Sequence, residues 1–292
     1  MGRARATVAL AVCLLAAGCG GRARPASSLL EHANLESGAL GRWMEFSVLR
    51  APPGGEVDHA RLPVFVLLHG MGEDNRSLDR HGVAAALHEA MAAGDAPRAH
   101  FVLPAGERGF FINWHDGSAR WEDHVLEEVL PAAERMLGVA PFRERRHVIG
   151  VSMGGFAALR IGLRRPDLFS SATCLSSFVY DQDQARDFFG SPIFNLFVDM
   201  ERVFGDGSDK EFVDAHDVYL MTERRAPDIG QRLFFAAGNE EYSGFRETGE
   251  QFHAHLDRLG VEHEWVVYDG GHKWYDWLPV IERAMRYVTA GD

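Results

Sequence analysis

Cysteine is scarce. The 292 residues carry 3, and two of them, Cys13 and Cys19, fall in an N-terminal apolar stretch. Cys174 is left alone in the body, inside the apolar run Ala172-Thr173-Cys174-Leu175, which excludes a disulfide framework and reads as a small buried core residue. No Cys/His spacing of a metal site is present, so neither a metal nor a cofactor is expected. Basic runs and Arg/Lys stripes are missing from a chain of formal net charge -12, which argues against nucleic acid as a partner and disfavours acidic polymers as substrates. Internal repeats and low-complexity tracts are absent as well. What remains is an ordinary globular composition, 46% hydrophobic and 25% charged. At this length about three quarters of the unfolded surface can be buried, so one large domain needs no staples.

The N-terminus has a pattern of its own. Arg3 and Arg5 precede the apolar Ala6 to Ala17, and Gly18-Cys19 closes the run. A positive start, a short apolar stretch and small residues at its end predict a secretory signal over residues 1–18, too short for a spanning helix. Leu15-Ala16-Ala17-Gly18-Cys19 also resembles the lipobox of bacterial lipoproteins, in which the cysteine becomes the lipidated first residue. Ala16 stands where that motif usually has leucine. The reading is lipidation at Cys19, with acyl chains worth about 0.8 kcal/mol per buried CH₂ anchoring a cell-envelope protein, periplasm-facing or at the surface. The alternative is plain cleavage to a soluble periplasmic or secreted form. Loss of residues 1–18 removes Arg3 and Arg5 and moves the net charge from -12 to -14. Residues 19–40 read as tether and lead-in, with Gly20 to Ser28 small, polar and patternless.

From residue 41 to 292 strand and helix patterns alternate, the signature of a mainly parallel sheet with helices on both faces. Expected strands are Met44–Leu49, Val64–Leu68, His100–Leu103, His147–Val151, Ala172–Leu175, Leu233–Ala236 and Glu264–Tyr268, several of them continuous apolar runs, as buried parallel strands require. Expected helices are Val83–Ala93, Glu122–Leu137, Gly155–Arg164, Glu247–Leu259 and Trp277–Val288; Pro131 should kink or split the second, and Pro166 stops the third. An insertion over about 177–227, rich in Phe and Asp and including Phe188, Phe189, Phe194, Phe197 and Phe204, reads as a small helical cap.

The chemistry centres on Gly150-Val151-Ser152-Met153-Gly154 between the fourth of these strands and the third helix. Gly-x-Ser-x-Gly in that context is a nucleophile elbow, with Ser152 on a strained turn and the Met153 N–H facing a forming oxyanion. The pattern therefore predicts an α/β-hydrolase fold. A serine hydroxyl needs a base, and the base needs an orienting acid, in the chain order Ser, Asp/Glu, His. Among 14 histidines, His272 follows the last strand in Tyr268-Asp269-Gly270-Gly271-His272 and is the expected base. Gly238-Asn239-Glu240-Glu241 follows the preceding strand and offers two glutamates that spacing does not separate; Asp269 is a weaker rival. The second oxyanion donor is expected from Leu68-His69-Gly70-Met71, as the Met71 N–H, with His69 structural.

These segments, with Gly270-Gly271-His272-Lys273-Trp274-Tyr275-Asp276-Trp277, Phe111-Ile112-Asn113-Trp114, Trp121-Glu122-Asp123 and Arg165-Pro166-Asp167-Leu168-Phe169, resemble the putative esterase (esterase D-like) family of α/β-hydrolases. That family includes S-formylglutathione hydrolases, feruloyl esterases, siderophore esterases and antigen 85-type mycolyltransferases. The resemblance runs from about Phe46 to Val288. It implies an acid in Gly-x-x-Asp after the seventh strand, which falls on Glu241, a glutamate in place of aspartate. It also implies the oxyanion pair Met71 and Met153.

The reading is a serine carboxylesterase with Ser152, His272 and Glu241, acting through an acyl-enzyme on a small-molecule or glycan ester. The alternatives are an acyltransferase using the same intermediate, or a non-catalytic binding lipoprotein. Phe110, Phe111 and Trp114 follow a strand end, and Trp274 and Trp277 flank His272; Phe111, Trp114 and Trp274 are the expected substrate-lining residues, suited to a sugar ester or an aromatic acid.

Overall fold

In strand β3 (Val64–Leu68) every residue is buried, because Val64, Val66 and Leu68 enter one apolar core and Phe65 and Leu67 the other. Side chains alternate across a strand, so a continuous apolar run requires cover on both faces. The computed structural model describes residues 28–54, 58–181, 184–185, 198–226, 228–242 and 244–290. The expected signal, Cys19 and nearly all of the tether lie outside these residues, as do Phe188, Phe189, Phe194 and Phe197.

The other strands are β1 (Leu30–Ser37), β2 (Arg42–Leu49), β4 (His100–Pro104), β5 (Arg146–Val151), β6 (Ser171–Leu175), β7 (Arg232–Gly238) and β8 (His263–Tyr268). They form one sheet in the order β1-β2-β4-β3-β5-β6-β7-β8. β1 pairs with β2 and β2 with β4 antiparallel; the remaining pairs are parallel. β1 falls in what the sequence reading assigned to the lead-in. It is an edge strand, buried only at Leu30 and Ser37, and its polar middle hides it from a search for apolar runs.

Helices α1 (Val83–Ala93) and α8 (Trp274–Val288) cover the face that carries Phe65. The opposite face is covered by α2 (residues 121–137), α3 (Met153–Arg164) and α7 (Phe245–Leu259). Pro131 splits α2 without breaking it: Trp121–Asp123 passes into a wide π-turn, His124–Val129, and then into Leu130–Leu137. The Leu130 N–H reaches back five residues to the Val125 carbonyl, so the ladder is already offset where the proline lacks its donor.

The described part of the insertion holds three short helices, α4 (Met200–Phe204), α5 (Lys210–Asp214) and α6 (Val218–Arg225). Asp199, Asp209 and Asp217 cap them by accepting backbone N–H groups, which accounts for much of the aspartate in this stretch. α6 packs on α3 and α7, and Phe204 meets Phe110 edge-on at 5.4 Å. Among the described residues, the non-glycine positions with left-handed backbone, Glu107, Phe110, Phe111, Ser152 and Ser176, all follow the carboxyl ends of β4, β5 or β6. Backbone strain is thus concentrated at one edge of the sheet.

Candidate active site

Ser152 connects β5 to α3 with φ 55° and ψ -123°, a conformation that L-residues hold only when the surroundings enforce it. The enforcement is steric. A Cβ on Gly150 would run into the Gly154 carbonyl, and one on Gly154 would run into the Leu68 carbonyl. Ser152 also keeps its sheet bond, donating N–H to the Leu175 carbonyl at 2.9 Å. Met153 opens α3, so its N–H is one of the donors a helix start leaves over. Among the described residues, no protein acceptor takes the N–H of Met153 or of Met71.

The loop after β3 lies directly against the elbow: a Cβ on Gly70 would come within 3.3 Å of Ser152 Cβ. His69 fixes this loop. Its Nε2 accepts the Gly106 N–H at 2.9 Å, so the proton is on Nδ1 and is donated to the Gly70 carbonyl at 2.8 Å. In a trans peptide the N–H points away from the carbonyl, so turning the Gly70 oxygen toward His69 turns the Met71 N–H to the other side. His69 is 2% exposed, its ring meets Phe111 at 5.2 Å, and burial lowers its pKa, which keeps it neutral.

At the same edge His272 follows β8, the last strand of the sheet. Its Nδ1 lies 2.9 Å from Glu241 Oε2. Phe245, the first residue of α7, stacks on the ring at 5.0 Å and 6°, and Trp277 meets it edge-on at 4.9 Å. The Glu241 side chain is 2% exposed. Its second oxygen accepts from the Tyr268 hydroxyl at 2.7 Å, Tyr268 contacts Ser176 Oγ at 2.6 Å, and Trp277 Nε1–H donates to Ser176 at 2.7 Å. A phenol has one proton, and Tyr268 spends it on Glu241, so the Ser176 hydroxyl donates to Tyr268. Burial pushes the Glu241 carboxyl up, but His272 and the Tyr268 hydroxyl, with Ser176 close behind, outweigh it and hold the group below its usual range.

Glu241, and not Glu240, therefore meets His272; the Glu240 side chain is exposed, and its backbone N–H goes to the Gly270 carbonyl. Asp269 bonds Asn239 at 2.9 Å. Among the described residues, Ser152 Oγ and His272 Nε2 make no hydrogen bond to each other or to another protein group. Ser176 and Tyr268 went unread in the sequence, since nothing local marks a strand-end serine or tyrosine as a partner of Glu241.

The aromatic residues expected to line a pocket separate. Phe111 is fully buried, its left-handed backbone sending the ring beneath His69 and its carbonyl to Arg160 Nη2 at 2.6 Å. Trp274 is 5% exposed and packs on Trp277 at 5.2 Å and His81 at 5.9 Å, a core position that corrects the expectation of a pocket wall. Trp114 lines a cavity of about 380 Å³ beside Arg42, Trp121 and Arg202, with the Arg202 guanidinium 5.1 Å above its ring.

A sequence model described as putative esterase matches residues 37–288. An acetyl esterase of Caldicellulosiruptor saccharolyticus is 26% identical over 200 residues, covering 64% of this chain and 70% of that protein. An endo-1,4-beta-xylanase/feruloyl esterase of Xylanibacter ruminicola is 27% identical over 133 residues, 44% of this chain but 18% of that longer protein. The fluorophosphonate-binding serine hydrolase FphF of Staphylococcus aureus superposes with a TM-score of 0.73 at 19% identity, covering 89% of this chain and 98% of its own, which establishes the α/β-hydrolase fold. The family match spans nearly the whole body, and with it the chain belongs to the putative esterase family and is a carboxylic ester hydrolase.

Proposed function

We propose that the chain is a serine carboxylesterase that works through an acyl-enzyme with Ser152 as nucleophile, His272 as base and Glu241 as the acid that orients it. The observation that carries this reading is the contact between His272 Nδ1 and Glu241 Oε2 at 2.9 Å. With its proton held on Nδ1 by a carboxylate, the imidazole presents a basic lone pair on Nε2. In the attacking step Ser152 Oγ bonds the ester carbon as its proton passes to Nε2. The carbonyl oxygen gains the negative charge, which the Met71 and Met153 N–H groups receive. Collapse breaks the bond to the alcohol oxygen, and that oxygen leaves with the proton from Nε2. Water then repeats the sequence on the acyl-enzyme and returns Ser152. The hydrogen bond between Ser152 and His272 forms with substrate in place, as such contacts tighten in the Michaelis complex.

The substrate in this proposal is a small-molecule or glycan-linked ester of a short or aromatic acid. The names of the acetyl and feruloyl esterase relatives support that class, and Trp114 in its cavity offers a surface for a sugar or an aryl ring. Export and lipidation at Cys19 belong to the same proposal, supported by Arg3, Arg5 and the apolar run before Cys19. Mass spectrometry of the mature N-terminus should find an acylated Cys19; an intact leader would remove this part of the proposal.

Turnover of p-nitrophenyl acetate and butyrate by the parent and by Ser152→Ala tests the mechanism. Loss of about 10⁴-fold or more in kcat is expected with unchanged melting. Equal rates in two folded proteins would sink it.

A further inference from the structure

We propose a second, non-catalytic site on this molecule: a surface Zn²⁺ site formed by His253, Asp257 and His263. One ligand atom from each of the three side chains lies within 4.8 Å of the others. His253 and Asp257 are one turn apart on α7 and share a face. His263 opens β8, a strand parallel to β5 through β6 and β7, so the cluster occupies the edge of the sheet opposite Ser152.

His263 is the fixed member. Its side chain is 4% exposed and its ring stacks on Phe235 at 5.4 Å and 16°. Its Nδ1–H donates to the Val261 carbonyl at 2.7 Å, which sets the tautomer and leaves the Nε2 lone pair aimed at the other two residues. A backbone carbonyl on the far nitrogen is the outer partner that metal-bound histidines usually have. Nε2 lies 2.7 Å from His253 Nδ1 and 3.9 Å from Asp257 Oδ1. Donors around a tetrahedral Zn²⁺ with bonds of 2.0–2.1 Å are about 3.3 Å apart, so, measured from His263 Nε2, His253 Nδ1 has to swing out and Asp257 Oδ1 in by roughly 0.6 Å each. The proton that His253 Nδ1 donates to His263 has to pass to its own Nε2, 3.6 Å from Asp257 Oδ2. Both have the room, with side chains 39% and 62% exposed. Two imidazoles and a carboxylate make a donor set suited to Zn²⁺, with water as the fourth ligand. Cys/His spacing along the chain does not disclose this site, because a helix turn and a strand start supply the ligands.

Bound metal would fasten the end of α7 to the start of β8, on the helix whose first residue stacks on His272. Calorimetric titration of the metal-free full-length chain with Zn²⁺ is the test. One equivalent should bind with micromolar or tighter affinity and raise the Tm by roughly 4 °C at a hundredfold excess over Kd. Co²⁺ should give the visible absorption of a tetrahedral site. The variant His253→Gln/Asp257→Asn should bind Zn²⁺ at least about a hundredfold more weakly and lose the Co²⁺ spectrum, while its metal-free esterase rate and melting match the parent. Zn²⁺ bound equally well by that variant, or no single-equivalent binding by the parent, would overturn the proposal and leave a histidine pair joined by a hydrogen bond.

Discussion

The loops after β3 and β8 each present a histidine at the same edge of the sheet, and the two rings are put to opposite use. His69 gives both nitrogens to backbone groups, Gly106 and Gly70, and burial keeps it neutral. His272 gives one nitrogen to a carboxylate, and among the described residues the other meets no protein group. A ring bonded on both sides has no lone pair to lend and serves as a strut. A ring bonded on one side by a carboxylate keeps a basic nitrogen and can move a proton. Neighbours, not residue type, divide the labour.

The sharpest test of that division is His272→Ala against His69→Ala. The first should cost about 10⁴-fold in kcat toward p-nitrophenyl acetate with little change in melting. The second leaves the buried Gly106 N–H without its acceptor and should cost about 2–4 kcal/mol of stability, read as a lower denaturant midpoint. Equal kcat losses at unchanged stability would erase the distinction. Next in size is Glu241→Gln, expected to lower kcat by about 10³–10⁴-fold because the amide no longer holds the Nδ1 proton. Glu240→Gln, on an exposed side chain, should stay within about twofold. A reversal of these two results would move the orienting role to Glu240.

Tyr268→Phe removes the hydroxyl that donates to Glu241 and should slow turnover about tenfold, roughly 1.4 kcal/mol. It also carries a pH signature. The folded-state carboxyl of Glu241 lies below its ordinary value, so its stabilisation is present above that value and is lost as pH falls through the lowered one. With the tyrosine donor gone the lowered value moves back toward the ordinary one, so the loss on acidification should be smaller and be complete at higher pH in an acid melt; superimposable melts would remove Tyr268 from the account. A last effect, of similar size but spread over the whole molecule, is on the buried histidines. Burial lowers His147 from 6.5 to about 3, and it lowers His69 too. The unfolded chain therefore takes up protons that the fold refuses. Stability should fall as pH drops below 6.5, by up to about 1.4 kcal/mol per histidine over the first unit. A Tm flat across that unit would contradict it.

Much of this architecture was legible because the parallel strands are buried on both faces and so read as unbroken apolar runs; β3 and α1 have the bounds expected. β1 was not legible, since half of an edge strand faces water. The elbow, His272 and the Gly70 loop were legible because steric and chain-order rules tie them to local sequence. Ser176 and Tyr268 were not, because they meet across β7, which separates the strands they end. Trp274 misled by proximity: two residues past His272 it has entered α8 and turned into the core on the Phe65 face.

The surroundings of Glu241 have one consequence for how the molecule answers to its medium. Apart from His272, its neighbours are the neutral hydroxyls of Tyr268 and Ser176, and its side chain is 2% exposed. Dissolved ions screen charges that they can approach, over about 8 Å at physiological strength, and they have little access to this one. In the proposed mechanism, the attraction that steadies a protonated His272 is therefore internal to the molecule. Raising the salt should leave the acylation rate of an uncharged ester nearly constant, while the capture of charged esters, which depends on the strongly negative net charge of the chain, responds strongly.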